Sequence, residues 1–281
     1  MLWQRVVTAI GLMLVLLPAL FYSSATPFAA LAIVFVAAGA WEWARLVGYG
    51  ARASLACGLA CALACALAWA GGLLAYSLSW LWIGISMIWV LGGAWLLHAG
   101  VGYWSGLPKV LRMATGLVIL VSAWLAVAQA HRLGVNFLLS ILALAWAADI
   151  SAYFAGRAWG TRVVKRKLAP SISPGKSWEG VWGGIAGVWV LAIAWQWVDR
   201  MLQSQQPSLY SRLLDDQGWF MLVAVAGLAG MSVVGDLIES LVKRAASVKD
   251  SSGLLPGHGG VLDRLDALLP TLPMAMMLYS L

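Results

Sequence analysis

The chain has 281 residues, 62% of them hydrophobic and 10% charged, with a formal net charge of +7. Its mean hydropathy of +0.87 excludes a soluble domain of this size. The basic residues lie in short loops between apolar runs, which excludes a nucleic-acid partner.

Nine apolar runs follow in chain order, at roughly 6–24, 27–45, 54–74, 78–98, 113–131, 135–155, 180–198, 218–241 and 265–280. Each approaches the ~20 residues that cross a bilayer as a helix. Only helices and closed barrels satisfy their own backbone in lipid, and the alternation of a barrel strand is absent. The chain therefore reads as an all-α polytopic membrane protein of about nine transmembrane helices in a single membrane domain, 1–281. The first run follows Arg5 and is read as an uncleaved span, being long for a signal-peptide core and lacking a small-x-small cleavage site. Trp3, Trp41, Trp43, Trp159, Trp178 and Trp219 fall near predicted helix ends, as interfacial belts would place them. Cys57, Cys61 and Cys65 share one face of the third helix. Small residues at that spacing serve close helix packing, so no chemistry and no disulfide is assigned to them.

Charge sets the orientation. With the N-terminus cytoplasmic and sides alternating, the inner segments and the helix ends beside them hold Arg5, Arg45, Arg52, Lys109, Arg112, Arg157, Arg162, Lys165, Arg166, Lys167, Lys176, Lys243, Arg244, Lys249 and Arg264. Only Arg132, Arg200 and Arg212 fall outside. Fifteen against three satisfies the positive-inside rule and puts the C-terminus outside. The inner basic residues also suit anionic headgroups of membrane lipids.

The chain changes character near residue 135. Residues 1–134 read as scaffold helices, with Glu42 their only acid, and 135–281 as a catalytic half. Asp149, Glu179, Asp236, Glu239, Asp250, Asp263 and Asp266 lie there in or beside apolar helices and basic loops. A charge at the centre of a membrane helix costs roughly 2.5–3.5 kcal/mol on insertion scales. Bound cations and a polar cleft would offset that cost, which points to an enzyme acting on an anionic lipid.

Three segments carry the chemistry. Asp149 lies in the inner third of the sixth helix, and the loop after it leads to Ser173-Pro174-Gly175-Lys176-Ser177-Trp178-Glu179. Gly175-Lys176-Ser177 matches only the end of a P-loop, yet Lys and Ser at a helix start can hold phosphate. Glu179 is read as a cap of that helix or a further metal ligand. On the eighth helix, Asp236, Glu239, Ser240, Lys243 and Arg244 form one polar stripe. Ion pairs at helical spacing account for its surface end but not for Asp236. The third segment is Pro256-Gly257-His258-Gly259-Gly260-Val261-Leu262-Asp263-Arg264-Leu265-Asp266. Its glycines can turn N–H groups toward an anion. Asp263 and Asp266 are expected to open the ninth helix, face one way and share a cation. Such hard oxygens suit Mg²⁺, which takes one or two carboxylates plus substrate phosphates. His258 is open between phosphate contact, proton transfer and loop support. All three segments are expected at the cytoplasmic face.

Ser240-Leu241-Val242-Lys243-Arg244, Lys249-Asp250 and the run Leu255 to Asp266 resemble the signature of the phosphatidate cytidylyltransferase, or CDP-diacylglycerol synthase, family. The stretch from Asp149 to Gly184 is similar to that family too, with Ser177 where the family often has Thr. In the first half only helix count and Glu42 agree. The resemblance implies that CTP and phosphatidic acid give CDP-diacylglycerol and pyrophosphate, in a polytopic, dimeric enzyme with acids around a two-metal centre. It implies Mg²⁺ with a second cation, held by Asp236, Asp263, Asp266 and Asp149. Asp236, Asp263, Asp266, Lys176, Lys243 and Arg264 become the catalytic set. Ser173, Ser177, Ser240, Arg244, Lys249, His258, Gly259 and Gly260 become the substrate-binding set. The expected location is a bacterial inner membrane with the site on the cytoplasmic side. A CTP-dependent polyprenol or phytol kinase and an ion-coupled secondary transporter are the competing readings. The transporter would place acids near the midplane in related halves, which the sequence does not show.

Overall fold

The computed structural model describes residues 2–216 and 218–281, and within them the regular structure is helical. The helices are α1 (Leu2–Phe21), α2 (Thr26–Val47), α3 (Ala51–Ala70), α4 (Ser79–Met87), α5 (Gly93–Gly106), α6 (Lys109–Leu133), α7 (Val135–Trp159), α8 (Trp178–Met201), α9 (Leu209–Asp216), α10 (Gly218–Ala245), α11 (Leu262–Leu265) and α12 (Leu268–Ser280). Eight helices among the described residues are long and apolar enough to cross a membrane. Each of the nine predicted runs falls on a helix. The fourth is α4 and α5 joined through a π-helical turn at Ile88–Gly92, so it is not one regular helix. The ninth, α12, has 13 residues, or about 20 Å at 1.5 Å per residue, short of a full crossing.

The outer surface suits lipid. Leu55, Leu59, Leu63 and Leu67 form an exposed row along α3. The same helix buries Cys61 and Cys65 on its other side, and no disulfide forms among the described residues. Where lipid is as apolar as the side chains, helices associate by close packing of small residues and by interhelical hydrogen bonds. Thus α7 and α8 meet along Gly180, Gly183, Gly184 and Gly187, where added Cβ atoms would run into Ala148, Ser151, Ala152 and Ala155. Trp3, Trp159, Trp178 and Trp219 are exposed as expected. Trp43 is not interfacial: it is 2% exposed, and its indole N–H bonds Arg112 O at 2.9 Å.

Hydrogen bonds define two ends of the bundle. At one, Thr8 bonds Pro256 O, Lys109 bonds Gly48 O, and Arg244 bonds Ile172 O. At the other, His131 meets Leu20 O, and Gln129 donates to Leu73 O and Tyr76 O. There the polar connection after α8 is ordered by Asp199, which accepts from Asn136 Nδ2 at 2.8 Å, Ser208 N at 2.9 Å and Ser211 Oγ at 2.6 Å. The residues of the first end are the basic ones, so the segments predicted to carry chemistry share one end.

Candidate active site

A cavity of about 420 Å³ opens at the basic end between α7, α8 and α10. Asp149, Tyr153 and Arg157 of α7 line it, with Lys176 and Ser177 of the loop before α8 and Asp236 of α10. Helical periodicity puts Asp149, Tyr153 and Arg157 on one face, and the glycine seam brings the start of α8 against that face. Lys176 Nζ lies 2.5 Å from Asp236 Oδ2, and Ser240 Oγ donates to Asp236 Oδ1 at 3.2 Å. Ser177 is the N-cap of α8, its Oγ accepting from Gly180 N at 3.2 Å, which leaves its O–H to face the cavity. Arg157 Nη1 donates to Tyr153 Oη at 3.2 Å, and the Tyr153 and Phe154 rings are exposed beside the cavity.

A second cluster adjoins the first. Lys243 pairs with both Glu239 and Asp263, one ammonium between two carboxylates. Asp263 Oδ1 accepts from Lys243 at 2.6 Å, while Oδ2 accepts from Gly260 N at 2.7 Å, Ser251 Oγ at 2.9 Å and Ser251 N at 3.0 Å. Burial would raise this carboxyl, but the Lys243 ammonium and the Gly260 N–H hold it down to about 2. Asp266 Oδ1 accepts from Ala267 N at 2.8 Å. It is pushed up to about 7, first by burial and then by the negative charges of Asp236 and Asp149. Asp266 thus lies within electrostatic reach of Asp236 and Asp149, the two acids that line the cavity. Gly235 makes that approach possible, because a Cβ there would overlap Asp266 O and crowd Pro270.

Several expected placements differ. Asp263 and Asp266 do not open one long helix. The helix α11 is only four residues long and ends at Leu265, so Asp263 lies within it and bonds the Gly-rich loop, while Asp266 falls just past its end. The Gly-rich loop does not offer its N–H groups to an open space. Gly260 N–H goes to Asp263, and Val261 and Leu262 N–H go to Glu42. Glu179, in the first turn of α8, also reaches beyond its own helix: its Oε1 accepts from Val163 N at 3.0 Å and Val164 N at 2.8 Å, pinning the basic loop.

The remaining residues are spread around the two clusters. Arg264 is exposed within electrostatic reach of Asp149. Ser173 sits in a tight turn that bridges back to Ala169, and Arg244 Nε holds Ile172 O of that turn at 3.3 Å. His258 Nδ1 is buried without a hydrogen-bond partner, next to Gly257, which abuts Arg5. Gly259 has φ +81°, and its own Cβ would lie 2.8 Å from Asp263 Oδ2. Lys249 and Asp250 are exposed at the rim. Sequence reasoning missed Arg157 and Tyr153 as cavity residues, and Ser251 and Glu42 as organisers of the loop. The four-residue spacing of Asp149, Tyr153 and Arg157 was a usable signal; no sequence pattern links Glu42 to a loop some 210 residues away.

Whether the residues suit Mg²⁺ is decided by donor chemistry. Among the described residues, no three His, Cys, Asp or Glu side chains close into a ready-made metal group. Mg²⁺ asks for fewer protein ligands, one or two carboxylates with substrate phosphates completing the shell. Asp149 and Asp236 supply hard oxygens at the cavity, Asp266 lies within electrostatic reach of both, and Glu239 Oε1 is buried without a hydrogen-bond partner. The set fits a cation that arrives with a polyphosphate.

The fold and the site together define a polytopic membrane protein with an acidic and basic cleft for a phosphate-bearing ligand at one end of its bundle. Its sequence matches the model of the "Cytidylyltransferase family" over residues 3–281. The chain belongs to that family. It is 39% identical over 283 residues to the phosphatidate cytidylyltransferase of Pseudomonas aeruginosa, covering 97% of this chain and 95% of the relative. It is 38% identical to that of Haemophilus influenzae over 305 residues, 99% of each chain. A Bacillus subtilis phosphatidate cytidylyltransferase is 38% identical over 148 residues, 53% of this chain and 49% of the relative.

Proposed function

We propose that this chain transfers CMP from CTP to phosphatidic acid, giving CDP-diacylglycerol and pyrophosphate in phospholipid synthesis. The observation that carries this is the cavity at the basic end, lined by Asp149, Asp236 and Lys176 beside the exposed rings of Tyr153 and Phe154. The near-full-length match to two phosphatidate cytidylyltransferases supports the choice of nucleotidyl transfer over a lipid kinase or a transporter.

An oxygen of the lipid phosphate attacks the α-phosphorus of CTP in line. The bond from that phosphorus to the bridging oxygen breaks, and pyrophosphate leaves with the electron pair. A phosphate monoester is already ionised near neutral pH, so positioning and charge neutralisation dominate over base catalysis. Lys176, Lys243 and Arg264 take up charge gathering on the leaving group, with Arg244, Lys249 and His258 around them. Ser173, Ser177, Ser240, Gly259 and Gly260 shape the phosphate-binding walls. Asp149, Asp236, Asp263 and Asp266 would hold Mg²⁺, which would supply charge neutralisation at the phosphates. Acyl chains stay in the bilayer while the headgroup reaches the cavity past Tyr153 and Phe154. The positive-inside count supports placing this end at the cytoplasmic face of a bacterial inner membrane. Family resemblance alone supports a homodimer, for which mass measurement of the detergent-solubilised protein is the check.

The deciding experiment incubates purified protein with α-³²P-CTP and phosphatidic acid vesicles. Label is expected in lipid, and a chelator of divalent cations is expected to abolish its transfer. Label entering lipid only from γ-³²P-CTP would establish a kinase instead.

A further inference from the structure

Glu42, on α2 in the half read as scaffold, is completely buried. Among the described residues no cation pairs with it. Four donors surround the carboxylate instead. Oε1 accepts from Ser252 Oγ and from Val261 N at 2.9 Å. Oε2 accepts from Leu262 N at 2.7 Å and shares the single proton of Ser251 Oγ, 3.2 Å away, with Asp263. Hydrogen bonds to an ionised acceptor are the strong ones, and here they stand in place of a counter-ion, the two backbone N–H bonds being the fixed part of the set. Three of the donors come from the loop that precedes α11, and the fourth is the N–H of Leu262, the first residue of that helix. The loop is shaped around this group: a Cβ on Gly260 would lie 2.5 Å from Glu42 Oε1 and would overlap Ser251 Oγ.

The contact does not end at the loop. Ser251 Oγ lies between Glu42 and Asp263, and Asp263 holds Lys243, which in turn pairs with Glu239. One hydrogen-bonded chain therefore runs from α2 to the polar stripe of α10.

We propose that Glu42 is a positioning residue for the transfer reaction: its carboxylate fixes the backbone at Val261 and Leu262 and, through Ser251, sets Asp263 and the Lys243 ammonium. This rests on the cytidylyl-transfer reading. The substitution Glu42→Gln tests it sharply. Each carboxylate oxygen accepts a backbone N–H, which cannot reverse its role, so either orientation of the amide turns its NH₂ against a donor. A mere structural tether would lower the folded fraction and leave turnover per folded molecule intact.

The expected result for Glu42→Gln in detergent is a kcat per folded molecule down about 30-fold or more, with KM for CTP and phosphatidic acid within about threefold. Hydrogen–deuterium exchange should rise over residues 251–262 and stay unchanged in α6. Ser252→Ala removes one hydroxyl and keeps both backbone bonds, so its kcat should stay within about threefold of the parent. If the Gln variant does not fold, Ser251→Ala takes its place: it cuts the bridge to Asp263, and kcat should fall about tenfold. Parental turnover per folded molecule in the variant used, or unchanged exchange in the loop, would overturn the proposal. If the parent protein moves no α-label from CTP into lipid, the transfer reading fails, while loop exchange still reports whether Glu42 anchors 251–262.

Discussion

The Lys243 ammonium and the backbone of the Gly-rich loop together keep Asp263 ionised down to about pH 2, against the pull of burial. Its ordinary value is 3.8. A carboxylate depressed on folding contributes stability that is complete above about pH 4 and is lost as pH falls from there toward 2. That contribution is on the order of 2 kcal/mol. The thermal midpoint of the parent should therefore drop between pH 5 and pH 3 by more than that of Asp263→Asn, measured in one detergent. At pH 7.5 the same variant should lose about a hundredfold or more in kcat, since it weakens both the loop and the seat of Lys243. Activity within about twofold of the parent would remove Asp263 from the site. Asp266 has the opposite character. At about 7 it holds a proton through the lower physiological range, and a cation must compete with that proton. The Mg²⁺ concentration for half-maximal activity is expected to rise as pH falls from 8 to 6, approaching tenfold per pH unit below 7. Asp266→Asn, with no proton to displace, should flatten that dependence. A parent whose Mg²⁺ requirement ignores pH would exclude Asp266 from the cation's shell.

Packing of α7 on α8 decides whether the cavity exists, because its walls are the last turns of one and the first turn of the other. A Cβ on Gly183 would collide with Ala155 Cβ. The backbone of Ser151 lies close as well, so rotamer changes cannot relieve the collision. Gly183→Leu is expected to destabilise by about 1–3 kcal/mol or more through overpacking, read as a fall in thermal midpoint. Gly102→Ala, at a helical site with open space, should hold or raise it by up to about 1 kcal/mol. Elements were the most legible level of this chain. Twenty apolar residues in a row can do little but span as a helix, and the runs at 113–131 and 135–155 came out as α6 and α7. What hydropathy cannot register is interruption without polarity, so the π turn at Ile88–Gly92 went unseen. The site was legible where partners share a helix: the stripe of Asp236, Glu239, Ser240 and Lys243 follows from periodicity, and the contacts Ser240–Asp236 and Lys243–Glu239 formed within it. It was illegible where partners are distant. The Lys176–Asp236 pair and the Glu42 cradle are set by tertiary packing. The Gly-rich run suggested an anion nest correctly in kind, but the anions that fill it are the protein's own carboxylates.

At the scale of the whole molecule, the two ends of the bundle differ in chemistry, and sidedness follows from that difference. Loops at one end carry Arg162, Lys165, Arg166, Lys167, Lys249 and the cavity; those at the other carry the Asp199 network and a few cations. Translocating clustered Lys and Arg is unfavourable, so the basic end should stay on the side of synthesis. That is also the side where CTP is present, so topology and substrate supply demand the same orientation. The expectation can be tested without any assay of activity. Cys57, Cys61 and Cys65 serve packing, and replacing them by Ala gives a background with no thiols. Into it one cysteine is placed, at Ser204 in the connection after α8 or at Ser247 just beyond α10. In intact spheroplasts a membrane-impermeant maleimide should label the Ser204→Cys protein and spare the Ser247→Cys protein; after permeabilisation both should react. Labelling of Ser247→Cys alone in sealed spheroplasts would invert the topology and put the cavity on the side without nucleotide. No rearrangement of side chains could then reconcile the acidic cluster with a CTP-dependent reaction.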